Sequence, residues 1–369
     1  MNRHCYAVII AGGKGTRFWP LSRPRRPKQL LKIFSRKSLI RETVDRVLPL
    51  FGRNHTLVVT VAEHSSEVRK ELHMLPKKNF LVEPQGNNTA PCIGLAAVEL
   101  SRRDPNALMA ILPADHWISD SDSFSRTLKA AMQLAEREDV LVTTGIRPSF
   151  PETGYGYILK GKKIEGPRGV SAYRVKGFKE KPTLKKAGQL IEAGSLWNSG
   201  IFVWKASTIL ALLSRFSPAI YNGFRRITEA AARSGLGIMS PKLRSILRRE
   251  YRRMPNISVD YAVLEKAGAE GRVLTVEAGF GWSDVGNWLA VHRLLPQDRS
   301  GNAGIGKWLG LKSENCLVYA TDRLVALLGI KDTVIVETPD AILVGDLKRS
   351  QEVRELVEEL KRKGYGRYT

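Results

Sequence analysis

The sequence predicts an α/β protein: a mostly parallel β-sheet with helices on both faces, followed by a small β-rich unit and a terminal helix. Three observations predict it. Short β-branched runs alternate with helical patterns through the first two-thirds of the 369 residues. The first of these runs ends in a glycine loop, AGGKGTRFWPLSRPRRPKQLL (11–31), for which a packed core has no use. Near the C-terminus, short apolar runs recur at close, near-regular spacing.

Taken in order, YAVII (6–10), TLVVT (56–60), ALMAILPAD (107–115) and VLVTTG (140–145) read as buried parallel strands, each bounded by a turn or polar signal. Helices are expected between them at 38–50, 65–73, 90–103 and 123–137. From residue 152 the texture turns strand- and turn-rich (GYGYILKG, SAYRVKGFKEKP), which predicts a mixed insertion over the sheet's edge. Helices resume at 183–193, 206–214 and 223–235. In PKLRSILRREYRRMP (241–255), Leu243, Ile246, Leu247 and Tyr251 fall at helical spacing among arginines, as in a half-buried helix with a solvated basic face. After GWSDVGNWLAV (281–291), the runs NCLVYA, LVALLGI, TVIVET and AILVGD read as a few β-rungs or a small β-subdomain, and RSQEVRELVEELKRKG as a charged amphipathic helix. The boundary is set at PQDRSGNAG, dividing the chain into 1–295 and 302–369.

Apolar content of 43% is ordinary for a globular protein. No apolar run reaches bilayer length, and MNRHCYAVII lacks the regions of a signal peptide, so a cytoplasmic protein without membrane association is expected. Cys5, Cys92 and Cys316 are too scattered for a disulfide framework or a zinc site and read as small buried thiols. A net charge of +23 invites a polyanion. A nucleic-acid partner is not expected, because no RNA-binding aromatic signature or helix-turn-helix pattern accompanies the charge and much of it lies on helix faces. Anionic small substrates gain from the same field.

The glycine loop fits neither common phosphate motif. A dinucleotide fingerprint needs a third glycine where Phe18 stands, and no window supplies a P-loop. What remains is G-G-x-G-T-R, a proline-rich spacer and P-K. Gly12, Gly13 and Gly15, with Thr16, let backbone N–H groups approach phosphate oxygens or a nucleoside. Arg17 can fork two phosphate oxygens, and Lys28 supplies a point charge at another angle. The prolines at 20, 24 and 27 stiffen the spacer. Ligands of open α/β sheets sit beyond the C-terminal ends of strands, where this loop and Asp115 both fall.

The string G-G-x-G-T-R-x-x-P-L-S-R…P-K resembles the signature of sugar nucleotidyltransferases, and FWPLSR…RPKQLL is similar to the mannose-1-phosphate guanylyltransferase branch. Eight further segments agree in order: LVEPQGNNTAPCIGLAA, LPADHWI, ETGYGYI, GFKEKP, LWNSGIFVW, SVDYAVLEK, GWSDVGNW and ETPDAILVGD. The resemblance covers nearly the full length. It implies a Rossmann-like sheet of the nucleotide-diphospho-sugar transferase type, a C-terminal subdomain that includes the left-handed β-helix among its forms, and a homodimer. The implied reaction joins GTP and mannose 1-phosphate into GDP-mannose and pyrophosphate by in-line attack on the α-phosphorus, with Mg2+. It also implies that the isomerase activity of relatives with a further cupin-like domain is absent.

By the same resemblance Asp115 and Asp284 hold the metal, and Asp115 also contacts the nucleotide. Glu180 binds sugar hydroxyls and Lys181 contacts the phosphates as the catalytic lysine, with Arg17 and Lys28 as its cationic partners. Gly154 and Asn198 offer the donors and acceptors that a sugar needs; Asp260 is a candidate to orient them but stands outside the expected site set. From its own chemistry, Asn88 in GNNTAP, beside Glu83, is the candidate to contact guanine, whose edge offers O6 as acceptor and N1 and N2 as donors. Asn87 stands where many relatives carry arginine, and Arg102 or Arg103 is the candidate replacement cation. Trp197, Trp204, Trp282 and Trp288 read as packing residues. Two alternatives stay open: the same chemistry with another pair, such as glucose 1-phosphate and UTP or dTTP, and a silent GDP-mannose-binding regulator.

Overall fold

The computed structural model describes residues 3–13 and 15–369. The first half follows the strand–helix alternation. Strand β1 (Cys5–Ala11) is followed by α1 (Leu39–Phe51), β2 (Thr56–Val61), α2 (Ser65–Glu71), β3 (Phe80–Glu83), α3 (Thr89–Arg103), β4 (Leu108–Pro113), the two-residue β5 (Trp117–Ile118), α4 (Ser121–Arg137) and β6 (Leu141–Ile146). Then come β7 (Gly156–Ile164), β8 (Ala172–Glu180), α5 (Leu184–Glu192), β9 (Leu196–Lys205), α6 (Ala206–Phe216), α7 (Pro218–Ser234), α8 (Arg244–Arg253), α9 (Glu265–Ala269), β10 (Val273–Ala278), the two-residue β11 (Trp282–Ser283) and α10 (Trp288–Leu294). Helix starts follow local chemistry. Side-chain oxygens of Ser38, Asn88, Asp120, Thr183 and Asn287 cap α1, α3, α4, α5 and α10. Helix α7 begins earlier than its apolar periodicity indicates because Pro218 suits the first helical turn.

The main sheet has nine strands in the order β3-β2-β1-β4-β9-β6-β10-β8-β7. β8 and β9 alone oppose the others in direction. The segment after residue 152 is therefore not laid over the sheet's edge as expected. It is built into the sheet: β9 is threaded antiparallel between β4 and β6, and the β7–β8 hairpin extends the far side. Strands β3 and β10 were not legible as separate runs. The period of two divides β1 cleanly: Tyr6 and Val8 join a core under α3, α6, α7 and α8, while Ala7, Ile9 and Ala11 join one under α1, α2 and α4.

The remaining strands form parallel rungs. β12 (Ala303–Ile305), β14 (Leu317–Ala320) and β16 (Thr333–Glu337) make one ladder with antiparallel β17 (Ile342–Asp346), and β13 (Trp308–Leu311) pairs with β15 (Val325–Leu328) in another. α11 (Val353–Arg362) follows. A third apolar core joins this unit to the rest: Phe18, Trp19 and Leu31 from the loop after β1 pack with Trp288 of α10 and with Leu317, Val336 and Val353. Trp19 Nε1 also donates to the Tyr368 carbonyl at 2.6 Å. Among the described residues no helix is long and apolar enough to cross a membrane, and Cys5, Cys92 and Cys316 are all buried.

Candidate active site

A cavity of about 450 Å³ opens beyond the C-terminal ends of β1, β3 and β4. Gly12 and Gly13 line it after β1, Glu83 and Asn88 after β3, and Asp115 after β4. Gly154, Glu180, Asn198 and Asp260 line its far side, so the incorporated strands β7–β9 carry that wall. Asp284 completes it. β5 and β11 explain how: Ser283 pairs with Trp117 and Trp282 with Ile118, which clamps the residue before Asp284 two positions beyond Asp115.

Lys28 fixes this arrangement. It is 8% exposed, and its Nζ lies 2.8 Å from Asp115 Oδ2 and donates to the Asp284 carbonyl at 2.5 Å. Gln29 Nε2 donates to the Ala11 carbonyl, holding the same segment beneath the glycine loop. Gly15 takes φ +64°, and a Cβ there would lie 2.3 Å from Lys28 Cβ, so only glycine lets the loop fold this closely. Burial pushes the Asp115 carboxyl up, but the Lys28 ammonium holds it below the usual carboxylate range. Burial lowers the neighbouring His116 to about 4, with the Asp115 charge opposing. Tyr155 donates to Asp284 Oδ1 at 2.8 Å; burial and that carboxylate together raise its pKa.

The far wall, with Glu180, Asn198 and Asp260, holds carboxyls of a different kind. Burial, then repulsion from Asp260, lifts Glu180 to about 7 against the pull of Lys181. Gly156 sits opposite Glu180 in the β7–β8 ladder, and a Cβ at 156 would meet Glu180 Oε1 at 2.2 Å. Asn198 Nδ2 donates to Asp260 Oδ1 at 2.9 Å, and burial raises the Asp260 carboxyl in spite of it. Glu83, at the other end, is 2% exposed, and burial pushes it up to about 8. The Cys92 thiol and Tyr251 hydroxyl beside it pull the other way.

A second cavity of about 640 Å³ adjoins the first across Gly154, Tyr155, Trp282 and Asp284, which line both. Arg17 and Lys181 line this one. Arg17 Nη1 donates to the Gly286 carbonyl at 2.9 Å. Lys181 is exposed and takes φ +42°; Asn88 (φ +67°) and Val285 (φ +48°) are likewise left-handed. Such backbone is costly for residues other than glycine, and these three flank the cavities.

The expected residues thus fall into three groups. Gly12, Gly13, Asn88, Asp115, Gly154, Glu180, Asn198 and Asp284 share the first cavity. Arg17 and Lys181 share the second, with Gly154 and Asp284 reaching both. Gly15, Thr16 and Lys28 line neither; Lys28 is an internal tie between the two aspartates, and Gly15 and half-buried Thr16 shape the loop. Asn87 turns inward, its Nδ2 donating to the carbonyls of Tyr251 at 2.6 Å and Met254 at 3.3 Å. Arg102 and Arg103 are not replacement cations: both bond Glu99 on the same helix. Trp282, expected as packing, is part of the site wall, donating to His116 Nδ1 at 3.0 Å and meeting Tyr155 edge-on. Sequence reasoning also passed over Tyr155 and His116, although both lie within the motifs GYGYI and PADH.

A cleft at strand C-termini, walled by glycines, carboxylates and cations, defines a nucleotide-handling α/β enzyme. Comparison with known proteins agrees. Residues 6–300 match the nucleotidyl transferase family, and residues 306–360 match the MannoseP isomerase/GMP-like beta-helix domain. A mannose-1-phosphate guanylyltransferase of Escherichia coli is 40% identical over 96% of this chain and 73% of its own length. One of Klebsiella pneumoniae is 39% identical over 98% and 75%. A solved structure from Thermus thermophilus, described as a mannose-1-phosphate geranyltransferase, has a TM-score of 0.86 at 33% identity, covering 97% of this chain and 99% of that one. The chain belongs to the nucleotidyl transferase family, in its mannose-1-phosphate guanylyltransferase branch.

Proposed function

We propose that the protein joins GTP and mannose 1-phosphate into GDP-mannose and pyrophosphate. The observation that carries the reading is the Lys28 tie, which draws residues 28, 115 and 284 from separate parts of the chain to the junction of the two cavities. The nucleoside lies against the bare backbone of Gly12 and Gly13, with Asn88 and Glu83 toward the guanine edge, whose N1 and N2 groups donate. Glu180, Asn198 and Asp260 hold the hexose hydroxyls. A phosphate oxygen of the hexose ester attacks the α-phosphorus, its bond to the bridging oxygen of pyrophosphate breaks, and the leaving group departs with the electron pair. Arg17 and Lys181 neutralise charge as it moves onto that group.

Asp115 and Asp284 suit magnesium, which takes one or two carboxylates and completes its shell with water and phosphate. Bound there, the ion would screen the triphosphate and polarise the α-phosphoryl group. A homodimer and a cytoplasmic setting belong to the same reading, as does the division into 1–295 and 302–369, which the separate ladders beginning at Ala303 support.

A matrix of four nucleoside triphosphates against mannose and glucose 1-phosphates, with magnesium, reads pyrophosphate release. GTP with mannose 1-phosphate is expected to be fastest. A faster second pair, or binding of GDP-mannose without turnover, overturns the assignment. Lys181→Ala and Asp284→Ala should each lower kcat about a hundredfold or more at unchanged melting temperature; near-normal rates would remove that residue from its role.

A further inference from the structure

Away from the catalytic cleft, a cavity of about 500 Å³ lies between α2, the outer strand β3 and α8. Arg69, Arg244 and Arg248 line it, over a floor that includes Phe80, Val82 and Leu247. None of the three guanidiniums has an ion pair or a hydrogen bond among the described residues, whereas Arg226 and Arg249 nearby are both paired with Glu250. Arg69 instead stacks over Phe80, its Cζ 5.0 Å from the ring centroid. Arginines without a carboxylate partner on one concave, part-apolar surface keep their donors for a ligand, and their fork geometry matches phosphate oxygens. The volume falls within the range of small-molecule sites.

The position of this cavity matters as much as its charge. β3 presents alternate residues to two places: Phe80 and Val82 line the arginine cavity, while Glu83 lines the catalytic one. α8 does the same along its length. Leu247 and Arg248 line the arginine cavity, and the helix ends at the Tyr251 and Met254 carbonyls that hold Asn87. Asn87 sits next to Asn88, which lines the catalytic cavity. Both connections run through a strand and a helix, so a ligand that pulls α8 toward β3 acts on the loop at 85–88.

We propose that this cavity is a second binding site, for a small molecule carrying two or more phosphate groups, and that its occupancy is felt at the loop 85–88. The site is separate from the catalytic cleft and independent of the substrates proposed for it. Part of the large positive charge then has a ligand of its own.

Titration calorimetry with inorganic tripolyphosphate tests this on the full chain carrying Arg17→Ala and Lys181→Ala, which strips cations from the catalytic side. Saturable binding is expected, weakened about tenfold or more by adding Arg244→Ala and Arg248→Ala. Adding Arg126→Ala and Arg137→Ala instead removes equal charge from exposed positions of α4 and should change affinity less than about twofold. Tripolyphosphate should also slow amide exchange at residues 83–90. No saturable binding, or equal weakening by the two pairs, overturns the site; unchanged exchange at 83–90 overturns its connection to the loop. Because no turnover is read, failure here is distinct from failure of the proposed reaction.

Discussion

Removing the Lys28 ammonium would leave the Asp115 carboxyl with its burial and without its nearest cation. Lys28→Met should therefore destabilise the fold by about 3 kcal/mol at neutral pH, as expected when one partner of a largely buried pair is deleted. The sign follows from linkage. A carboxyl held low in the folded state contributes stability above its unfolded value and loses it as pH falls through the folded value. The cost of Lys28→Met should thus shrink in acid, and denaturant midpoints equal to wild type at neutral pH would refute it. Glu180 behaves oppositely. With its carboxyl lifted from 4.5 to about 7, the unfolded chain ionises first. Wild type should lose stability relative to Glu180→Gln as pH rises from about 4.5 to 7 and level off above, which denaturation at stepped pH will read. A constant difference across that window would mean that Glu180 is not held neutral. Both residues stood out in the sequence as charges for a ligand. That one is an internal tie and the other a raised acid depends on neighbours 87 and 80 positions away, Asp115 and Asp260, which no local pattern reveals.

Among the elements, the segment between β3 and α3 shows what spacing leaves undecided. Asn88 caps α3 and faces the cavity, whereas Asn87 is buried against the last turn of α8. Asn87→Ala would free the Tyr251 and Met254 carbonyls and loosen the loop. The expected result is a loss of about 1–2 kcal/mol in unfolding free energy together with a several-fold rise in KM for the nucleotide and little change in kcat. Unchanged KM would show that the loop is held by α3 alone. Strand existence was legible where apolar runs were long and bounded by turns, as for β1, β2, β4 and β6. Those four run parallel as expected; the direction of β9, seen only as a motif, was not legible, because a fully buried strand reads alike in either orientation, and it lies antiparallel inside the sheet. β5 and β11, of two residues each, are too short for any periodicity, yet their pairing sets where Asp284 stands.

Across the whole molecule, the C-terminal rungs are tied to the loop that carries Arg17 and Lys28. Trp288 is fully buried in the shared core, edge-on to Phe18 at 5.0 Å, with Leu317 and Val336 in the same cluster. Trp288→Ala should cost about 3–5 kcal/mol, measured by chemical denaturation. It should also lower turnover, since Phe18 adjoins Arg17. A variant with wild-type stability would show that the two units fold independently of this contact.

The sequence by itself determined the α/β alternation, the rung-like C-terminal unit and the motifs that place the chain in its family, because periodicity, turn residues and short signatures are local properties. Tertiary structure alone decided which strands oppose the rest, that Lys28 is bonded between two aspartates, and that Arg17 and Lys181 share one cavity while the glycines share another. Those outcomes rest on contacts between residues far apart in the chain, and on burial that sets each charge only once its neighbours have closed around it.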